Sequence, residues 1–89
     1  MSDLSFTAFV LSLASTAALH FGDMPDPNTG KPAERHLEGA SQMIDILAML
    51  QEKTRGNLTA EERQVLEQVL YELRMRFVEV SNAPRIIQP

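Results

Sequence analysis

Between Phe6 and Phe21 the chain carries no formally charged side chain, taking His20 as neutral. Sixteen residues with so little affinity for water must be covered by something. As a helix the stretch spans about 24 Å, short of the roughly 30 Å of bilayer hydrocarbon, and it is interrupted by Thr7, Ser12, Ser15 and Thr16. The only charge ahead of it is Asp3, whereas a secretion signal calls for a basic start; the small residues around Ala14 to Ala18 imitate a cleavage site, but the flank does not fit. The expectation is a cytoplasmic protein that neither spans nor coats a membrane, in which this segment is buried by protein.

The spacing of Phe6, Phe9, Val10, Leu13 and Ala17 is that of one helical face, and Leu4, Ala8, Leu11, Ser15 and Ala18 form a second, smaller-sided one. Helix one is expected over about 5–20, stopped by Gly22 in the left-handed conformation. The segment Gly22–Pro32 contains Pro25, Pro27 and Pro32, and Pro27-Asn28-Thr29-Gly30 has turn chemistry. Helix two is expected over about 33–55, with Leu37, Ala40, Ile44, Leu47 and Ala48 on one face, widened by Met43, Ile46, Met49 and Leu50, and with Gly56-Asn57 as its stop. Thr59-Ala60-Glu61-Glu62 reads as a capping box opening helix three over about 60–81, whose stripe is Leu66, Val69, Leu70, Leu73, Phe77 and Val80. Pro84 ends it. The reading is an all-α domain over 1–83, helices two and three forming an antiparallel hairpin with helix one packed across it, and a flexible tail over 84–89.

At 89 residues the domain buries only about 60 to 65 % of its unfolded surface. Domains of this size are commonly reinforced by disulfides, a metal or a partner. There is no cysteine, which removes disulfides and thiolate sites. Helix one is apolar or small on most of its circumference, more than a two-helix hairpin needs for cover. Self-association through helix one is therefore expected, most simply as a homodimer, with Phe6, Phe9, Val10, Leu13, Ala14, Ala17 and Ala18 as the candidate interface. A net charge of −4 with scattered basic residues gives no steering towards nucleic acid or anionic membrane.

The best case for chemistry is His20, Asp23, Asp26 and His36, two imidazoles and two carboxylates around the Gly22–Pro32 loop. They match no recognised metal spacing: there is no H-E-x-x-H, and Asp26-x-Asn28-x-Gly30 lacks the terminal glutamate of a calcium loop. The plainer reading makes His20 a cation at a helix C-terminus and the aspartates turn residues. Asp45 shares its face with Glu38, Ser41, Gln42 and Glu52 and reads as solvated. Lys53, Arg55 and Arg63 near the second turn read as solvated charges, and Met43, Met49 and Met75 as core packing or an adaptable surface. No serine, threonine or tyrosine stands in a recognisable triad and no glycine-rich phosphate loop is present. The sequence thus predicts no catalytic residues, no cofactor and no metal, a self-associating interaction module as the first function, and a metal- or small-ligand-binding module using the Gly22–Pro32 loop with His20 and His36 as the alternative.

Several blocks are too particular to be generic helix patterns: Ser5-Phe6 with Phe9 to Ala14, His20-Phe21-Gly22, Pro25-Asp26-Pro27 with Thr29-Gly30, Ile44 to Leu47, Lys53 to Thr59, and Leu70 to Val78. In these the chain resembles a set of short bacterial proteins grouped as a domain of unknown function, family eighteen forty-four. The resemblance covers nearly all of the chain except its ends. It implies a bacterial helical protein and supplies no activity, cofactor or catalytic residue.

Overall fold

The computed structural model describes residues 5–31 and 34–82. It contains three helices, α1 (Phe6–Phe21), α2 (Leu37–Lys53) and α3 (Ala60–Asn82), and no strand among the described residues. The expected tail over 84–89 lies outside them.

Each helix has a chemically explicit boundary. The Ser5 hydroxyl accepts the amide of Ala8 at 3.0 Å and caps α1. At the other end Gly22 takes φ 82°; its amide donates to the Leu19 carbonyl and that of Asp23 to the Ala18 carbonyl, both at 2.9 Å. This is a Schellman turn, which uses two carbonyls that a helix end otherwise leaves open. Both hydrogen bonds of the capping box on α3 are present: Glu62 N–H to Thr59 Oγ1 at 3.1 Å and Thr59 N–H to Glu62 Oε1 at 2.9 Å.

The start of α2 differs from the sequence expectation. Apolar periodicity puts it near residue 33, but the helix begins at Leu37. Arg35 and His36 are engaged elsewhere: the His36 amide donates to the His20 carbonyl at 2.6 Å and Arg35 Nε to the Phe21 carbonyl at 3.3 Å. With His36 held at φ −139° and ψ 83°, outside the helical region, the helix cannot continue backwards through it. At its far end α2 closes at Lys53, two residues early, where the Thr54 amide and hydroxyl both donate to the Leu50 carbonyl at 2.9 and 2.7 Å.

Helix α1 packs on both α2 and α3. Val10, Ala17 and Phe21 from α1, Ala40 and Leu47 from α2, and Leu66 from α3 are fully buried, joined by Val69, Leu70, Leu73 and Val80. No polar side chain is buried among the described residues. Full burial of a side chain such as Phe21, Leu47 or Leu66 stabilises by about 1.5 to 3 kcal/mol, and Phe21 adds an edge-to-face contact with Phe77 at 6.4 Å between ring centroids. Among the described residues no helix is long and apolar enough to cross a membrane.

Replacing Thr59 by alanine removes one bond of the α3 cap and leaves the Glu62 amide without its partner. A loss of about 0.5 to 2 kcal/mol is expected, read as a lower urea midpoint at unchanged slope; an unchanged midpoint would show that the box does not hold the helix start.

Candidate functional site

The Schellman turn at Gly22 sends the chain into a tight loop. There Asp26 Oδ1 accepts the amide of Asn28 at 2.7 Å, and the Asp26 carbonyl accepts that of Gly30 at 2.8 Å. The Asp26 amide donates to the Lys31 carbonyl at 2.7 Å, and Gly30 sits at φ 72°. This is the turn that Pro27-Asn28-Thr29-Gly30 predicts. The chain then returns to the end of α1, where the His36–His20 backbone bond fixes the entry to α2. A cleft of about 490 Å³ opens between loop and helix ends, with His20, Asp26, Glu34, Arg35 and His36 among its lining.

The two histidines meet there, rings 5.3 Å apart and nearly perpendicular. Gly39, in the first turn of α2, makes room for them. A Cβ on it would lie 2.8 Å from His36 Nδ1 and 2.9 Å from His20 Nδ1, closer than packed side chains stand. The sequence offered no signal for this use of Gly39, because a glycine near a helix start is read first as a helix breaker.

Of the four candidate ligand residues, His20, Asp26 and His36 line the cleft and Asp23 does not. Asp23 turns instead to α3, where Arg76 grips it through Nε–Oδ2 at 2.9 Å and Nη2–Oδ1 at 2.5 Å. Arg76 also donates to Glu79 at 3.1 Å. Periodicity along α3 gives no sign of a partner so far away in sequence. The Arg76 hydrogen bonds hold the Asp23 carboxyl below its usual pKa against the opposing effect of burial, with the charges of Arg76 and Arg35 adding to it. Those same bonds to Asp23 and Glu79 raise Arg76 above its usual value. No three His, Cys, Asp or Glu side chains gather as a metal-holding group among the described residues.

The family described as Domain of unknown function (DUF1844) matches residues 3–79. The chain belongs to that family. No curated protein and no solved structure matches it. Membership in DUF1844 therefore establishes kinship without an activity, and any functional reading rests on the geometry.

The candidate interface on α1 needs revision. Val10 and Ala17 are fully buried, and Phe6, Leu13 and Ala14 pack partly buried against the same core. Ala18 is half-buried, and Phe9 alone of the seven is substantially exposed, at 42 %. The strongest apolar face of a helix is the one its own fold uses first, so Val10 and Ala17 are unavailable to a second chain. The apolar surface left open on α1 is Phe9 with Leu11, the latter 49 % exposed. Helix α3 adds a stripe that the core reading passed over: Tyr71, Met75 and Val78, at i, i+4 and i+7, are 62, 48 and 52 % exposed. Asp45, Arg55 and Arg63 are exposed as expected, Arg55 paired with Glu52.

The Asp23–Arg76 pair has a definite pH signature. Its contribution is complete above the ordinary aspartate pKa of about 3.9 and is lost as pH falls through the depressed folded value. Both side chains are about one-third exposed, so solvent screening limits the pair to about 0.2 to 1 kcal/mol. Arg76→Gln is expected to lower stability by that amount at pH 7 and to converge with the parent chain in acid. Urea titrations at neutral and acid pH check it; a gap that widens towards low pH would contradict the assignment.

Proposed function

We propose that this chain is a non-catalytic, self-associating interaction module acting in the bacterial cytoplasm, most simply as a homodimer. The observation that carries the reading is the outward-facing apolar surface: Phe9 and Leu11 on α1, and Tyr71, Met75 and Val78 on α3. A small domain with a thin core loses solubility by displaying such groups, unless a partner covers them. The hydroxyls fit a structural role. Ser12 donates to the Phe9 carbonyl, Thr16 to that of Ser12, Thr54 to that of Leu50 and Ser81 to that of Phe77. Each is occupied along its own helix, with no histidine beside it as a base.

Sedimentation equilibrium of the purified chain at micromolar concentrations tests this. A species twice the monomer mass is expected, and Phe9→Lys should shift it towards monomer. A single monomeric species at every concentration would remove the proposal.

The meeting of His20 and His36 over Gly39 favours a second reading, a small-ligand site in the cleft beside Asp26. Two imidazoles do not complete a coordination shell, so no divalent-metal requirement is expected. Dialysis against a chelator should leave the thermal unfolding temperature unchanged. A large drop restored by zinc would transfer the assignment to the cleft.

A further inference from the structure

The turn between α2 and α3 borders a cavity of about 330 Å³, near the lower end of the size of small-ligand sites. Gln51 from the last turn of α2, Arg55 and Gly56 from the turn itself, and Arg63 and Glu67 from α3 line it, with the fully buried Leu66 between the last two. Of the three cations that the sequence places near this turn, Arg55 and Arg63 line the cavity and Lys53 does not.

The polar groups around this cavity are only partly engaged with one another. Arg63 and Glu67 stand one helical turn apart, the spacing at which opposite charges pair, yet among the described residues no ion pair joins them. Arg55 is paired with Glu52, but the two side chains are 71 and 70 % exposed, so the pair is weak and exchanges its partner at little cost. Gly56 turns the backbone at φ 85°. Among the described residues the amides of Gly56 and Leu58, both in the lining, donate to no protein carbonyl. Two guanidinium groups and unpaired turn amides are the donor set that holds tetrahedral oxyanions.

We propose that this cavity binds a small, soluble phosphate monoester, its phosphate held by Arg55 and Arg63 and a hydroxyl of the same molecule donating to Glu67. Each guanidinium presents paired donors that match phosphate oxygens, and the two together offset a dianion. Glu67 is the one carboxylate in the lining, so the local formal charge is positive in a chain whose net charge is −4. A carboxylate repels a bare anion placed beside it, whereas a ligand with a hydroxyl gives it a donor. Glu67 therefore selects a hydroxylated ester over inorganic phosphate. The site surrounds the first turns of α3, shares no residue with the Tyr71, Met75 and Val78 stripe, and stands independently of self-association.

Isothermal titration calorimetry of the full-length chain at constant ionic strength tests this, with glycerol 3-phosphate, inorganic phosphate and glycerol as probes and circular dichroism to verify the fold of each variant. Glycerol 3-phosphate is expected to bind at one site per chain and more tightly than inorganic phosphate, and glycerol not to bind. Arg63→Gln and Arg55→Gln should each weaken glycerol 3-phosphate by about tenfold or more. Arg74→Gln, which alters an exposed arginine outside the cavity, should leave the affinity in place. Glu67→Gln should weaken glycerol 3-phosphate and strengthen inorganic phosphate, a split that a general loss of structure would not produce. Absence of binding at millimolar ester would overturn the site. So would equal losses from Arg74→Gln and Arg63→Gln, which would mark general attraction to surface charge. Affinities for both probes that ignore Glu67→Gln would overturn the hydroxyl contact. Capture on phosphatidic acid vesicles without binding of the soluble ester would overturn the assignment to a soluble ligand.

Discussion

The C-terminal end of α1 holds the molecule together. Within a few residues the chain must stop a helix, reverse and begin another, and each of the last four carbonyls of α1 finds a named partner. Gly22 supplies the left-handed turn, the Ala18 and Leu19 carbonyls are taken by its two hydrogen bonds, and the His20 and Phe21 carbonyls are taken by His36 and Arg35. Phe21 is fully buried at the same point. Asp23, two residues on, ties this corner to α3 through Arg76. A residue with a β-carbon at position 22 would carry the strain of positive φ, and the errors would pass to all three helices, because both the entry to α2 and the α3 tie depend on that turn.

This concentration of constraints at one corner explains the asymmetry of the surface. Buried apolar side chains are shared among three helices, and the fully buried ones number few in so short a chain. The most regular apolar face of α1 is consumed inside. What remains outside is second-best by sequence criteria: Phe9 and Leu11 at the margins of the buried face, and a three-residue stripe on α3. These are the groups that the proposed partner would cover.

How much of this was legible in the sequence varied with how local the cause is. The helix ends governed by a single short motif were readable: Gly22 as a left-handed stop, and Thr59 with Glu62 as a reciprocal cap. The start of α2 was not, because it is decided by the carbonyls of His20 and Phe21, which compete for residues 35 and 36 from across the loop. The histidines illustrate the same limit. Their separation in sequence matches no motif, yet the turn brings the rings together. Asp23 was grouped with them by proximity along the chain, while its actual partner, Arg76, lies fifty-three positions away. Apolar spacing located most of the buried face of α1, with Phe9 the exception, but it could not tell which apolar groups the chain's own fold would cover.

The histidine cleft and the exposed apolar groups of α1 and α3 differ in what each would cost to use. In the cleft, His36 contributes its backbone to the junction that starts α2, and both imidazoles crowd the space above Gly39. A ligand that moved either ring would work against the turn that organises the fold. On α1 and α3, Phe9, Leu11, Tyr71, Met75 and Val78 are already exposed, so the proposed partner would settle there without disturbing a buried contact. Binding on that side adds apolar burial to a domain short of it, whereas binding at the cleft draws on the best-determined corner of the structure. That difference in coupling to the fold favours the proposed interaction surface on α1 and α3 over one at the histidines.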